Sequence, residues 1–224
     1  MNVEDLIGSF RVDADDLARS LGGGQGDLLW SDDDVARWLT EAEEEAAIRK
    51  RLLPDEVALS ITAPTRTYPF TELFEITRAE LQPVGGDPIV LRIVSRDAMD
   101  RIEPDWRRAA CPPAHLIQED TRIVLAGTID QAYTLSLEGM RLPKVALSAD
   151  DQTASPEIAP VHHRFLVHWA LHRAYGKQDA DTFDPARSQR ALQAFEQYFG
   201  LRPTADLRKD MRADVEHQTR VWQF

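Results

Sequence analysis

The spacing of apolar residues changes twice along the chain, and this constrains the fold more than any other feature. Near-helical spacing marks both ends. Between residue 56 and about 148 it fades into short alternating runs punctuated by proline and glycine. From Val3 to Leu21, residues Leu6, Ile7, Phe10, Leu17 and Leu21 predict a first helix, stopped by the flexible run Gly22-Gly23-Gly24-Gln25-Gly26. Ser31 is a good N-cap for a second helix, and Asp34 three residues on completes a capping-box-like pattern. Asp32, Asp33 and Asp34 suit the positive end of its dipole. Val35, Trp38, Leu39, Ala42, Ala46 and Leu53 form its apolar stripe, and Pro54 is expected to end it.

The middle section offers eight candidate strands: Glu56–Thr62, Thr65–Pro69, Thr77–Pro83, Pro88–Ser95, Ala114–Gln118, Arg122–Ala126, Ala132–Leu137 and Arg141–Leu147. Gly85-Gly86-Asp87 suits a hairpin turn. Ser95-Arg96-Asp97 opens a short helical piece through Ile102, and Cys111-Pro112-Pro113 is an extended connector. Asp150 to Pro160 is a polar linker, after which helices return. Val161 to Tyr175 is one, with Gly176 as expected C-cap. Asp184-Pro185 starts another, carrying Leu192, Phe195, Tyr198 and Phe199 and closed by Gly200. Thr204 to about Thr219 is a last helix. The expected class is α+β: N-terminal and C-terminal helices (1–55 and 150–224) form one helical bundle, with a small antiparallel β domain (56–149) inserted between them.

Composition narrows the functional classes. In 224 residues, 43% hydrophobic and 29% charged, a real core can be buried. No apolar run approaches the roughly 18 residues of a membrane span. Met1-Asn2-Val3-Glu4-Asp5 lacks a signal-peptide start, and Cys111 is the one cysteine, so folding in a cytoplasm is expected. The net charge of −12 disfavours ordinary DNA binding. Acidity crowds the N-terminal part, from Asp13, Asp15 and Asp16 through Asp32, Asp33 and Asp34 to Glu41, Glu43, Glu44 and Glu45, which suits solvated helix faces and caps.

Motifs for chemistry are weak. His162, His163, His168 and His172 cluster, and His168 and His172 share a helix face at a spacing that can ligate zinc. Trp169 stands where a zinc protease places its glutamate, so packing among Phe165, Trp169 and Tyr175 is the plainer account. Asp179-Ala180-Asp181-Thr182-Phe183-Asp184 opens like a calcium loop but lacks the glycine and the closing glutamate. The glycine run lacks a Gly-Lys-Ser/Thr ending, and Cys111 has no activating neighbour in sequence. Arg101, Arg107 and Arg108 around Trp106 fit anchors at a protein interface, or equally a surface patch with a partly buried tryptophan. Val221, Trp222 and Phe224 end the chain and must either fold back or dock on a partner.

The order of these pieces resembles a family. The run from Leu29-Trp30-Ser31-Asp32-Asp33-Asp34-Val35 through Trp38-Leu39-Thr40-Glu41-Ala42 to Ala46 resembles the helix near the start of phage adaptor-like virion proteins. Val161–Tyr175 with Asp179-Ala180-Asp181-Thr182, and the Phe195–Gly200 helix end, resemble their later segments. The resemblance implies a tailed-bacteriophage head-to-tail adaptor (connector): a non-enzymatic structural protein without cofactors or metal. Such proteins assemble as rings, typically dodecamers, beneath the portal and extend the DNA channel. The implied partners are the portal protein, a tail or tail-completion protein and further copies of the chain. DNA passes through the lumen without specific binding, and no membrane is involved. The implied place is the head–tail interface of the virion, after synthesis in the host cytoplasm. Val221, Trp222 and Phe224 become portal-docking anchors, with Arg101, Trp106, Arg107 and Arg108 as a further interface. Rival readings are a tail-completion or other connector protein, a metal-dependent hydrolase using His168 and His172, and a cytoplasmic interaction module.

Overall fold

The computed structural model describes residues 1–16, 28–108, 111–178 and 182–203. In chain order these form α1 (Val3–Ala14), α2 (Asp32–Lys50), β1 (Pro54–Ile61), β2 (Thr67–Pro69), β3 (Glu75–Pro83) and β4 (Ile89–Val94). Then follow α3 (Arg96–Ile102), β5 (His115–Gln118), β6 (Arg122–Ala126), β7 (Tyr133–Met140), α4 (Pro160–Gly176) and α5 (Pro185–Phe199). They fall into two compact units. Met1–Leu53 joins Leu142–Arg202 in the helical one, and Pro54–Arg141 builds the other.

In the helical unit local chemistry sets the ends. Asn2 and Asp5 form a reciprocal capping box at α1, at 2.8 and 3.1 Å. The helix stops at Ala14 and does not run on to Leu21. Asp15 takes a left-handed conformation (φ 56°), and Asp16 turns inward to accept from Arg11 and from the Leu29 backbone N–H. Leu17, Leu21 and the glycine run lie outside the described residues. Ser31 caps α2 through the Asp34 N–H at 3.1 Å. Arg51 (φ 54°) ends that helix, so Pro54 is free to open β1. Gly176 is the last helical residue of α4, with Lys177 as its cap, whereas Gly200 (φ 87°) closes α5 as expected.

Helix α4 packs against α1, α2 and α5, which makes it the centre of this unit. Leu6, Phe10, Trp38, Leu39, Leu166, Val167, Phe195 and Phe199 share one core. Trp30 stands edge-on to both Phe10 and Tyr175, with ring centroids 5.6 Å apart in each case, a favourable geometry for the ring quadrupoles. Leu147 and Ile158, from the stretch after β7, are buried in the same core.

The β unit corrects the expected fold. In place of a small antiparallel domain inserted in a helical bundle there is a large seven-stranded mixed sheet, ordered β1-β7-β3-β4-β5-β6-β2. Strands β4 and β5 run parallel, with Arg92, Ile93 and Val94 opposite His115, Leu116 and Ile117. A parallel pair needs a crossover, and α3 with the loop after it supplies one. Residues of the edge strands, Val57, Leu59 and Ile61 of β1 and Tyr68 of β2, pack on the same core as Leu81, Leu91, Leu116, Leu125 and Leu135. One face can gather both edges round one core only if the sheet curls. On the other face α3 lays Ala98 and Met99 over Val94, Ile117, Val124 and Ala126. The eighth expected strand, Arg141–Leu147, is not one. Its Lys144 and Val145 N–H groups donate to Glu157, and Leu147 N–H donates to Thr40 Oγ1 at 2.9 Å. A segment whose donors are already taken has little left for a sheet ladder.

Candidate interface residues

The Arg101–Arg108 stretch covers the end of α3 and the loop after it, in the β unit. Trp106 is buried among Val94, Ala98, Met99, Ile117 and Val124, at 3% exposure. Its Nε1–H donates to Asp100 Oδ1 at 2.7 Å. Arg107 grips the same carboxylate with both arms, at 2.6 and 3.2 Å, and lays its guanidinium 4.5 Å from the Trp106 ring centroid. The bond from Arg107, then that from Trp106, holds the Asp100 carboxyl below the usual carboxylate range. Arg66 donates to the Arg107 carbonyl oxygen at 3.0 Å, fastening the loop from the other side. The indole is therefore a core residue with its polar atom satisfied, and the charge of Arg107 is spent locally. Arg101 and Arg108 are exposed. The structure brings Trp106 and Arg107 together and leaves Arg101 and Arg108 on the surface. Val221, Trp222 and Phe224 lie outside the described residues.

A second cationic cluster sits beside the first. Arg96 and Arg122 both donate to Glu119, Arg96 Nε at 2.7 Å, and these bonds lower the Glu119 pKa, Arg122 contributing most. Arg96, Arg107 and Arg122 thus pair with carboxylates of their own unit. The surface of this region therefore carries charges of both signs.

The four histidines of α4 serve packing and hydrogen bonding. His163 is buried, with Nε2 donating to the Ile158 carbonyl oxygen at 2.8 Å. His172 Nδ1 lies 2.9 Å from Ser188 Oγ, and His162 Nδ1 lies 3.0 Å from the Tyr198 hydroxyl. His168 leans on Phe165. Burial is the main cause that lowers the pKa of His162, His168 and His172. Among the described residues no group of three or more His, Cys, Asp or Glu is placed to hold a metal ion. A cleft of about 330 Å³ lies beside His172, lined by Arg37, Trp38, Arg173, Gly176 and Lys177. Its cations pair with acids of α2: Arg173 with Glu41 at 2.9 Å, and Arg37 and Lys177 with Asp34 at 2.5 and 3.5 Å.

Two buried polar contacts were not foreseen from the sequence. Arg11 bridges Asp16 and Asp32, the latter at 2.6 Å, and Asp16 also accepts from the Leu29 N–H at 2.9 Å. This ties the end of α1 to the start of α2 across the residues between them. Glu43, fully buried, accepts from the Ile158 N–H at 3.1 Å and so anchors the stretch that leads into α4. Glu43 follows Leu39 by four residues and therefore sits on the apolar stripe, a signal the spacing does carry. Nothing comparable marks the Arg11 bridge, which depends on how the chain turns after Ala14.

Cores, caps and internal ion pairs define the described residues as a two-unit α+β scaffold. None of the curated proteins compared with the chain matches it. The model of one family, described as SU10 adaptor protein, matches residues 1–219. The chain belongs to this family, and so to the phage adaptor proteins whose residues it resembles.

Proposed function

We propose that the chain is a non-enzymatic structural protein of the virion, a head-to-tail adaptor that forms a ring beneath the portal. In this role it extends the DNA channel and joins the head to the tail. The observation that carries the reading is that the family match spans residues 1–219, and so takes in both the helical unit and the β unit. The match is therefore not confined to one unit of the chain.

The charge supports it. At −12 the chain would repel DNA phosphates, which favours a lumen through which DNA moves without sticking. In this reading the partners are the portal, a tail or tail-completion protein and neighbouring copies, with Val221, Trp222 and Phe224 as portal anchors and Arg101 and Arg108 as further contact residues. Electron microscopy of portal rings from the same phage genome, mixed with the chain, tests it. Extra density beneath the portal, repeating with ring symmetry, is the expected result. Portal rings unchanged at saturating chain would contradict the reading.

A further inference from the structure

Strand β1 lies at the end of the sheet order, with β7 on one side and no strand on the other among the described residues. It differs from the opposite edge. β2 spans three residues and ends in Pro69, which lacks an N–H. β1 pairs with β7 over eight consecutive residues, Pro54↔Met140 to Ile61↔Tyr133, without a bulge. Natural sheets blunt such edges with lysine, proline, bulges or a very short strand. β1 has proline only at its first position and no lysine.

The direction of its free groups follows from its neighbours. Thr62 directs both its N–H and its C=O at the Tyr68 hydroxyl, at 2.9 and 3.1 Å, and so points away from β7. Glu138 and Met140 of β7 direct their carbonyl oxygens to the β3 side, where they accept from Thr77 Oγ1 and from the N–H of Phe74, just before β3. Backbone groups alternate sides along a strand. The remaining residues of β7, Tyr133, Leu135, Leu137 and Gly139, therefore bond β1 through Ile61, Leu59, Val57 and Asp55. Glu56, Ala58 and Ser60 point outward with Thr62. Asp55 Oδ1 already accepts from the Glu56 N–H at 2.9 Å, which guards the start of the edge. Tyr68 likewise occupies the outward groups of Thr62 at the other end, and among the described residues Ala58 and Ser60 have no such guard.

We infer that this edge pairs with the same edge of a second copy, β1 against β1 in antiparallel fashion about a two-fold axis at Ala58. The sequence is self-complementary in that register. Ala58 of each copy exchanges its N–H and C=O with the other, and Ser60 stands opposite Glu56. On the core-facing side Val57, which is only half-buried, meets Leu59, equally half-buried. No like charges stand opposite each other. Shifting the pairing by one residue would set the apolar face against the polar one. The inference goes beyond the adaptor reading and does not depend on it. A two-fold contact is isologous and closes on two copies, so the pairing is one of the free chain.

Ala58→Pro tests it. The substitution removes an outward N–H while the ladder to β7, carried by Val57 and Leu59, keeps its donors. The full chain is run by size-exclusion chromatography with light scattering from low to several hundred micromolar. The expected result is a concentration-dependent dimer, weakened at least tenfold in Ala58→Pro at unchanged circular dichroism and within a few degrees of the same Tm. If Ala58→Pro loses its fold, Ala58→Lys provides the second variant, since a lysine on the edge blocks pairing without removing a donor. A full chain that stays monomeric throughout would overturn the inference. So would a dimer that both variants leave intact. Portal binding is not read in this experiment, so its outcome leaves the adaptor reading where it stood.

Discussion

Asp100 holds two donors at once, the indole of Trp106 and the fork of Arg107, and this explains how a tryptophan among arginines comes to be buried. Trp106→Ala should lower the stability of the β unit by about 3–5 kcal/mol, the cost of emptying a large buried aromatic site, read by denaturant unfolding. Arg101→Ala and Arg108→Ala, at exposed positions, should stay within about 0.5 kcal/mol of the parent. Any loss of partner binding in those two variants then reports on the surface and not on the fold. The histidines make a different prediction. Burial lowers the pKa of His162, His168 and His172. Their folded values therefore lie below the roughly 6.5 of the unfolded chain. As pH falls past that value the unfolded state takes up protons first, so stability is full above it and declines toward the folded values. Thermal melts of the helical transition should show the midpoint falling between pH 8 and 5.5, with a smaller fall when His168 and His172 are both replaced by glutamine. A midpoint that rises on acidification would contradict the assignment.

At the scale of elements, Gly139 shows what the close pairing of β3 and β7 requires. A Cβ there would meet the Glu75 carbonyl oxygen at 2.1 Å, beside the irregularity between Ile76 and Arg78. Gly139→Ala should cost about 1–3 kcal/mol, read as a lower denaturant midpoint, and a neutral result would mean that the two strands are not so close. Many element boundaries were legible in the sequence. Ser31, Ser95 and Asp184 cap the helices they were expected to cap, and Arg122–Ala126 is a strand over those residues. Caps and alternation are local chemistry, so a sequence displays them. The pairing was not legible. Whether β4 meets β5 in parallel depends on a crossover of some twenty residues, and alternation reads the same in either direction. The end of α1 was missed for a related reason. Leu17 and Leu21 prolong the apolar spacing, but Asp15 and Asp16 turn the chain to satisfy Arg11. Of the candidate contact residues, the sequence marked the cluster around Trp106 but could not tell the core member from the exposed ones, because burial there is decided by α3 lying on β4, β5 and β6.

At the scale of the whole molecule, the β unit begins and ends at one place. Pro54 stands opposite Met140, and Arg141 pairs with Asp55 at 3.1 Å. A unit with adjacent ends and its own core is expected to fold when expressed as residues 54–141, with dispersed amide resonances and a cooperative melt. Collapsed resonances would show that it needs the rest of the chain. Membership of the adaptor family concerns the whole chain, since the match runs from residue 1 to 219. The adaptor role proposed above holds that the full chain docks on the portal and that its last residues hold it there. Co-sedimentation with portal rings from the same phage genome, with and without residues 220–224, tests that most directly. With the tail as anchor, the full chain sediments with the rings and the truncated chain stays in the supernatant. A full-length chain that remains in the supernatant at saturating portal would contradict it.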